Sequence, residues 1–234
     1  MSSPNRTILI LGSGPGIGNH VAAEFVSRGT FNHAILLSRN TARLEEDKAF
    51  VQSKAPNAKV STLKLDLADL DSIVPTLEKA EALAKEADSP ITTILFNAAR
   101  VYLTPILEAK LSDIELDFRT TNLALYAVLQ FSIPRLITLS QSSPSSKPAF
   151  LVTNSHLPWD PYPDFLSLSL TKASQRNMVQ NFAGAFKGKG VHIGLVSVEG
   201  VVEPSKKNLN PKNIAEKAYE FWEGGEGLDV RIQE

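Results

Sequence analysis

The chain has 234 residues, of which 43% are hydrophobic and 21% are charged, and its formal net charge is -1 at pH 7. This length and composition are typical of a globular domain with a full hydrophobic core, and we expect residues 1–234 to form a single domain. The near-neutral charge argues against binding to nucleic acid or to an anionic membrane. The chain has no cysteine, which excludes disulfides and thiol chemistry, and its four histidines lack metal-ligand spacing, so we expect no metal site.

The first six residues contain no apolar run that would indicate a signal peptide. The sequence pattern also predicts no segment long enough to span a bilayer. We therefore expect a cytoplasmic protein.

Short apolar runs alternate with amphipathic stretches along the whole chain. The apolar runs predict six strands: Thr7–Leu11, His33–Ser38, Lys59–Asp66, Thr92–Asn97, Ala149–Asn154 and Val191–Val198. The amphipathic stretches predict six helices: Gly18–Arg28, Thr41–Lys54, Leu70–Ala87, Ser112–Leu139, Phe165–Phe186 and Pro211–Trp222. This alternation predicts an α/β fold, a Rossmann-like doubly wound parallel sheet with helices on both faces. In such a sheet, ligands bind beyond the carboxyl ends of the strands.

A glycine-rich segment directly follows the first predicted strand and precedes a helix-compatible stretch. Gly12, Gly16 and Gly18 let the backbone turn sharply. They also let a pyrophosphate approach the helix amino-terminus, where free N–H groups and the helix dipole favour negative charge. A plain strand-to-helix turn needs fewer glycines. We therefore predict a dinucleotide-binding turn that also includes Ser13 and Ile17.

The second predicted strand ends in Ser38, Arg39 and Asn40. Binding of NAD at this place usually requires an acidic residue for the ribose hydroxyls, and none of these three residues is acidic. Arg39 instead suits a 2′-phosphate, which it would hold through charge-assisted hydrogen bonds with help from Ser38. We therefore predict NADP(H) as the cofactor in preference to NAD(H). The alternative is that Arg39 is an ordinary surface charge.

Several of these segments resemble the short-chain dehydrogenases/reductases, and the resemblance extends almost from end to end of the chain. The glycines match the TGxxxGxG turn of that family, with Leu11 where threonine is usual. Asn97 and Ala98, after the fourth predicted strand, are similar to the start of its NAG motif. The resemblance implies a nicotinamide cofactor, with Asn97 and Ala98 beside it, and a small-molecule substrate.

The same resemblance implies roles for five further residues. Asp66 would meet the adenine amino group, with Leu67 next to it. Asn122 corresponds to a helical asparagine that supports the proton relay, and asparagine is otherwise unfavourable within a helix. Ser155 corresponds to a catalytic serine that polarises a carbonyl group, and Lys172 to the lysine of a YxxxK motif that holds the nicotinamide ribose. Taken singly, each residue also suits an ordinary role as a cap, a turn residue or a solvated charge.

The resemblance breaks where the family has its catalytic tyrosine. That residue lies four positions before the lysine and 13 after the serine, and both spacings lead to Leu168. Leucine can neither donate nor accept a proton, and loss of a general acid typically costs about 10²–10⁴-fold in rate. Either another group supplies the proton, or the chemistry differs, or there is no catalysis.

A second departure follows the sixth predicted strand, where the family usually has Pro-Gly and this chain has Glu199 and Gly200. We expect Glu199 and Val201 beside the nicotinamide, where the carboxylate would favour the oxidised ring and, with a raised pKa in a dry site, would be able to donate a proton. The alternative is that Glu199 turns outward into water. The segment Glu203–Asn210 is shorter than the family's helical lid, which predicts an open cavity for a bulky ligand, or one that a partner chain completes.

Three side chains are candidates to replace the tyrosine. Tyr162, in the loop after Ser155, is the first choice, although an aromatic residue that packs a proline-rich loop would look the same. Tyr102 follows the Asn97 turn. His156 is next to Ser155, but it would point to the opposite face of the sheet if the strand continued.

Three functions therefore stay open. The first is an NADP(H)-dependent oxidoreductase with a non-standard proton relay, acting on a carbonyl or alcohol substrate; it is favoured because most of the family's polar residues remain. The second is an NADP(H)-binding protein without catalysis, such as a sensor or partner subunit. The third is a non-redox enzyme, such as a cyclase, isomerase or dehydratase.

In the family, two long helices often form a four-helix contact between subunits. By resemblance we expect a homodimer or homotetramer here. The residues that would contribute are Leu123, Leu125, Val128, Leu129, Phe182 and Phe186. The alternative is that these side chains pack onto the sheet.

Overall fold

The computed structural model describes residues 5–234, which form a seven-stranded sheet in the order β3-β2-β1-β4-β5-β6-β7. All neighbouring strands in it are parallel. The strands are β1 (Thr7–Leu11), β2 (His33–Ser38), β3 (Lys59–Lys64), β4 (Ile91–Phe96), β5 (Ala149–Asn154), β6 (His192–Val198) and β7 (Asp229–Ile232). The strand order reverses between β1 and β4, which creates a crevice at their carboxyl ends. The predicted doubly wound α/β fold is confirmed.

Helices cover both faces of the sheet. They are α1 (Gly18–Ser27), α2 (Thr41–Lys54), α3 (Ile73–Glu86), α4 (Leu111–Phe118), α5 (Ala124–Ser142), α6 (Leu166–Ala185) and α7 (Pro211–Gly224). Side chains of α1, α2 and α7 share one hydrophobic cluster with the sheet, and those of α3, α5 and α6 share the other. The sheet is therefore the middle layer of three.

β1 shows why four consecutive residues of a central strand are apolar. Ile8 and Ile10 belong to the first cluster, and Leu9 and Leu11 belong to the second. Because successive side chains of a strand point to opposite faces, a strand buried on both faces favours a continuous apolar run. This pattern made β1 recognisable from the sequence.

Two features differ from the sequence-based expectation. The helix predicted over Ser112–Leu139 is interrupted by a π-helical turn at Arg119–Leu123, which separates α4 from α5. β7 was not predicted, because a four-residue strand of sequence Asp-Val-Arg-Ile, half-buried at the sheet edge, has little hydrophobic signal.

The helical stretch Leu111–Ser142 has 32 residues and is long and apolar enough to span a membrane by length and composition alone. The expectation that no segment reaches that length is therefore wrong. Leu125, Val128 and Leu129 of this stretch are buried against the sheet. Their predicted place in a subunit contact is wrong as well, because these side chains already fill the core.

A buried histidine lies at the end of the sheet remote from the strand carboxyl ends. His33 is fully buried, with its Nε2 2.9 Å from Ser61 Oγ and its Nδ1 3.4 Å from Thr7 Oγ1. Burial lowers the pKa of His33 to about 4, so the ring is neutral at pH 7.

Candidate functional site

A cleft of about 1020 Å³ opens at the carboxyl ends of the strands. The predicted site residues that line it are Gly12, Ser13, Gly16, Ile17, Ser38, Arg39, Leu67, Asn97, Ala98, Ser155, Tyr162, Lys172 and Val201. Four predicted site residues do not line it, namely Gly18, Asp66, Asn122 and Glu199. The sheet therefore brings most of the predicted residues to one place.

In the glycine turn between β1 and α1, the backbone packs closely at two glycines and is open at a third. Gly12 has a φ of +90°, and a Cβ there would lie 2.7 Å from the backbone nitrogen of Ala98. A Cβ on Gly18 would lie 2.8 Å from the carbonyl oxygen of Gly12. At Gly16, in contrast, no heavy atom lies within 4 Å of the position of a Cβ. The turn therefore leaves room for a phosphate beside Gly16, while Gly12 and Gly18 allow the backbone to pack.

A carboxylate that the sequence analysis missed supports this turn. Asp47 on α2 is only 1% exposed, and it accepts hydrogen bonds from Ser13 Oγ and Asn19 Nδ2, both at 2.8 Å. An acidic residue on a polar helix is usually solvated, so no sequence signal separated Asp47 from its neighbours. The Ser13 hydroxyl is thereby committed to Asp47.

Two arginines line the end of the cleft at β2. Arg39 follows β2, and Arg43 lies in the first turn of α2. The side chain of Asn40 caps that helix by accepting a hydrogen bond from the backbone N–H of Arg43 at 3.1 Å. Arg43 was missed, although its spacing of four residues from Arg39 was visible in the sequence. Both side chains line the cleft, and the Arg43 guanidinium also lies 3.4 Å from the carboxylate of Glu46 in a surface ion pair.

Asp66 does not occupy the place expected for it. β3 ends at Lys64, and Asp66 lies in the exposed turn that follows, where its carboxylate accepts the backbone N–H of Ala68 at 3.0 Å. Leu65 and Leu67 line the cleft instead. The strand stops two residues early, which turns the carboxylate away from the adenine end of the cleft.

Asn97 joins the ends of β1 and β4. Its Nδ2 donates to the carbonyl oxygen of Gly12 at 2.9 Å, and its backbone N–H donates to Leu11 at 2.8 Å. Asn97 therefore positions the glycine turn as well as lining the cleft.

Ser155 lies immediately after β5, and its Oγ accepts the backbone N–H of Leu157 at 3.3 Å. The hydroxyl proton of Ser155 remains free to point into the cleft. His156 was expected to point to the opposite face of the sheet only if the strand continued past Ser155. β5 ends at Asn154, so that argument does not apply. His156 lines the cleft beside Ser155.

Lys172 on α6 is only 6% exposed and is one of the residues that line the cleft. It donates to the carbonyl oxygen of Thr153 at 2.8 Å and to Gln175 Oε1 at 3.0 Å. Both acceptors are neutral, and burial lowers the pKa of Lys172 to about 8. Gln175 was missed by the sequence analysis.

Asn122 lies in the π-helical turn behind α6 rather than in the cleft lining. Its Nδ2 donates to the carbonyl oxygen of Thr171 at 3.1 Å, one residue before Lys172. π-turns inside α-helices are frequent at functional sites. Asn122 thus holds the backbone that carries Lys172.

Comparison with known proteins decides the family. The family model described as short chain dehydrogenase matches residues 6–213. The chain belongs to the short-chain dehydrogenase family. Enzymes of this family are oxidoreductases that use a nicotinamide cofactor.

Curated relatives of this short-chain dehydrogenase are distant in sequence. The chain is 28% identical to "Short-chain dehydrogenase TIC 32 A, chloroplastic" of Brassica napus, over 61% of this chain and 42% of the relative. It is 24% identical to "Oxidoreductase asL5" of Sarocladium schorii, over 89% of this chain and 78% of the relative. The chain thus spans less than half the length of the first of these two proteins.

Solved structures of the family share the fold. A short-chain dehydrogenase from Rhodopseudomonas palustris superposes with a TM-score of 0.80 at 16% identity, with 98% of each chain covered. An NADPH-bound short chain oxidoreductase from Pseudomonas aeruginosa PAO1, described as containing an atypical catalytic center, gives a TM-score of 0.73 at 19% identity. That match covers 86% of this chain and 73% of the other.

Leu168, which the spacing predicts in place of the family tyrosine, lies one helical turn before Lys172 and is one of the residues that line the cleft. Of the candidate replacements, Tyr102 lies outside the lining. Its hydroxyl donates to Asp117 at 2.9 Å, and burial followed by this hydrogen bond raises the pKa of Tyr102 to about 12. Tyr162 lines the cleft but is 52% exposed, with its ring 5.7 Å from that of Phe165.

Asp117 joins the segment that contains Tyr102 to the start of α6. It is buried, and it accepts hydrogen bonds from Arg100 Nη1 at 2.9 Å and from Ser167 Oγ at 2.5 Å, in addition to Tyr102. Arg100 also lines the cleft. The position of Leu168 is therefore fixed through its neighbour Ser167.

Glu199 contradicts the expectation that its carboxylate faces the nicotinamide place, and it does not turn into water either. Its carboxylate lies against the side chains of Arg231 and Gln233, at the end of β7 and just beyond it. The hydrogen bond from Arg231 is the main cause that lowers the pKa of Glu199, so this group is ionised and unsuited to donate a proton. β7, which was not predicted, supplies Arg231, and Gln233 directly follows that strand.

No helix covers the mouth of the cleft over residues 203–210, as expected from the short segment. The backbone N–H groups of Lys207, Asn208 and Leu209 donate to the side-chain carboxylate of Glu234 at 2.9, 3.3 and 3.0 Å. Val201 and Val202 form the nearby wall of the cleft, which remains open to bulky molecules.

Proposed function

We propose that this short-chain dehydrogenase is an NADP(H)-dependent oxidoreductase that acts on carbonyl and alcohol compounds. One observation carries the proposal. Among the described residues that line the cleft, the charged side chains are Arg39, Arg43, Arg100 and Lys172, and no aspartate or glutamate is present. A cleft whose charged side chains are all positive suits NADP(H), which carries three phosphate groups. The NADPH-bound structures of its relatives from Pseudomonas aeruginosa and Sphingobium yanoikuyae support the choice.

The residues present fit this cofactor. The open side of Gly16 and the amino-terminus of α1 suit the pyrophosphate, and Arg39 with Arg43 suits the 2′-phosphate. Lys172, which lines the cleft, suits the nicotinamide ribose. When bound, the nicotinamide supplies or accepts a hydride at the reacting carbon. Asp66 and Glu199 are not among the residues that line the cleft.

The chain's own residues prepare the substrate. The Ser155 hydroxyl donates to a carbonyl oxygen and makes the carbonyl carbon more electrophilic. Asn122 keeps α6 and therefore Lys172 in register. Tyr162 and the largely exposed Val201 and Val101 border an open mouth, which favours a bulky, mainly apolar carbonyl compound.

The test has two steps. Binding of NADPH and NADH is measured by tryptophan fluorescence, and NADPH is expected to bind at micromolar concentration and at least ~10-fold more tightly than NADH. NADPH absorbance is then followed with a panel of bulky ketones, aldehydes and quinones. Turnover that Ser155→Ala reduces by ~100-fold supports the proposal.

Each alternative has its own outcome. Failure of NADPH to bind at millimolar concentration overturns the proposal. Binding without turnover of any compound in the panel replaces it with a dinucleotide-binding sensor or partner subunit. Conversion of a compound without a change in NADPH absorbance replaces it with a non-redox enzyme.

We extend the proposal to assembly and location. Leu123 and Tyr126 on the long helical stretch are about half exposed, and Phe182 on α6 packs edge-on to Tyr126 at 6.3 Å. This face suits a homodimer or homotetramer, which light scattering after size exclusion tests. Because the inner side of the same stretch is covered by the sheet, we propose a cytoplasmic protein that is not inserted in a membrane.

A further inference from the structure

The missing tyrosine leaves open which group protonates the substrate oxygen. Leu168 lines the cleft and carries no proton. Arg39, Arg43 and Arg100 also line it, but a guanidinium group keeps its proton at any pH at which the protein is folded. Among the described lining residues, Lys172, His156 and Tyr162 carry groups of the kinds that serve as general acids.

Lys172 lies on the same helix face as the residue that stands in place of the tyrosine. It follows Leu168 by four residues on α6, and side chains four apart lie on the same helix face. Two of its three N–H groups donate to Thr153 and Gln175, so the third is free. Tyr162, in contrast, is at the half-exposed mouth and rests on Phe165.

The surroundings of this ammonium are polar but uncharged. β5 contributes the Thr153 carbonyl and α6 contributes the Gln175 side-chain oxygen as acceptors of its hydrogen bonds. Desolvation by burial is the cause that shifts its pKa, and no charged group contributes to that shift.

We propose that Lys172 is itself the proton donor to the substrate carbonyl oxygen, and that Gln175 is its positioning residue. This inference rests on the proposed oxidoreductase function. In the reduction direction, the carbonyl carbon gains a hydride from a reduced nicotinamide dinucleotide, and the oxygen takes a proton from Lys172 Nζ. The C=O π bond is replaced by C–H and O–H bonds. Nζ is left as a neutral amine, which regains its proton from water.

Burial supports this role, because it lowers the pKa of Lys172 to about 8, close to the pH at which a general acid is most effective. Gln175 Oε1 accepts a hydrogen bond from this ammonium at 3.0 Å, so a change of side chain at that position alters its surroundings directly. A carboxylate at the same place would favour the ammonium and raise the pKa, whereas an apolar side chain would lower it further.

The first experiment uses the protein without cofactor. The chain is labelled with [ε-13C]lysine, the Lys172 signal is assigned by its loss in Lys172→Arg, and its chemical shift is followed from pH 6 to 11. We expect a midpoint near pH 8, a higher midpoint in Gln175→Glu and a lower one in Gln175→Leu. A midpoint in the unmodified chain near ~10.4, as for a solvated lysine, overturns the inference.

The second experiment uses the carbonyl compound reduced fastest with NADPH. We expect the rate to fall above the Lys172 midpoint, and this fall to move with the Gln175 variants in the same directions. Lys172→Ala should lose ~100-fold in kcat and regain ~10-fold or more with methylammonium, which supplies the missing acid. Lys187→Arg, an exposed lysine beyond α6, is the matched control.

The outcomes separate the two proposals. If Lys172→Arg keeps kcat within ~3-fold, or if only His156→Gln removes the fall in rate at high pH, then the inference is overturned while the oxidoreductase function stands. If the unmodified protein binds NADPH and reduces no carbonyl compound, the proposed function fails, and the inference fails with it even where Lys172 titrates near pH 8.

Discussion

The carboxylate of Asp47 accepts a hydrogen bond from the hydroxyl of Ser13 at 2.8 Å, so a buried acidic group supports the turn proposed to bind phosphate. The same carboxylate holds Asn19 in the first turn of α1. Its two hydrogen bonds fix the path of the backbone whose N–H groups would face the pyrophosphate. A negative charge near an anion site is acceptable here because its oxygens point to Ser13 and Asn19.

Removal of this support should weaken both the fold and cofactor binding. Asp47→Ala leaves two buried polar groups without partners, and we expect a loss of ~2–4 kcal/mol in the free energy of unfolding. NADPH affinity should fall ~10-fold, because the turn is no longer held in one conformation. Urea denaturation and fluorescence titration measure the two effects. Gln52→Ala, an exposed position on the same helix, should change neither, and an unchanged NADPH affinity in Asp47→Ala would show that the turn does not need this support.

The two arginines at the end of β2 should determine the choice between cofactors. We expect Arg39→Ala and Arg43→Ala each to weaken NADPH binding by ~10-fold and the double variant by ~100-fold, because each removes charge-assisted hydrogen bonds to the 2′-phosphate. NADH affinity should stay within ~3-fold. Arg135→Ala, on α5 and paired with Glu81, is a suitable control. Equal loss of NADPH and NADH affinity would contradict this assignment. It would show that the arginines contact a group that both cofactors have, and not the 2′-phosphate.

The buried histidine should make stability depend on pH. The pKa of His33 is about 4 in the folded chain against an ordinary value of 6.5, so below pH 6.5 the unfolded chain binds a proton that the folded chain does not. The free energy of unfolding should therefore fall between pH 6.5 and about pH 4, by up to ~3 kcal/mol, and this contribution should level off at lower pH. Urea denaturation at several pH values, with His33→Gln for comparison, measures it. Parallel pH curves for the two proteins would contradict this assignment.

Restoring the family tyrosine tests how much of the proton relay survives. Leu168→Tyr should raise the rate of carbonyl reduction by ~10-fold or more, because a phenol beside the Lys172 ammonium is a better-placed acid than the amine alone. The fall of kcat at high pH should then report the ionisation of the new tyrosine hydroxyl. The change in kcat with NADPH saturating is the relevant measurement, and Leu168→Phe controls for ring volume. A lower rate with tyrosine than with phenylalanine would show that the hydroxyl obstructs the substrate.

The sequence was sufficient where a local pattern determines the structure. The continuous apolar run of β1 and the glycines of the following turn predicted a buried strand, a tight turn and the place of the cleft. Asn97 and Ser155 were located because residues just after parallel strands meet at one edge. Lys172 was located through the resemblance to the short-chain dehydrogenases.

Residues that depend on long-range partners were not predictable in this way. Glu199 was expected at the nicotinamide, but β7, which has a weak hydrophobic pattern, supplies Arg231 and draws its carboxylate away. Asp47 resembles a solvated helix residue until the fold buries it under Ser13. Asp66 was misplaced because β3 ends at Lys64, and strand ends are poorly defined by hydrophobicity alone.

The π-turn at Arg119–Leu123 makes the register of the long helical stretch depend on a single residue. Such a turn holds one residue more than a regular helix would, so a one-residue deletion inside it would restore uniform winding. The helix on one side would then rotate by about 100° relative to the other. With α5 anchored in the core, that rotation would carry Asp117 away from Ser167 and detach Asn122 from Thr171. The inserted residue therefore determines the rotation of α4 relative to α5. It brings the polar contacts of α4 into place while the hydrophobic face of α5 stays packed in the core.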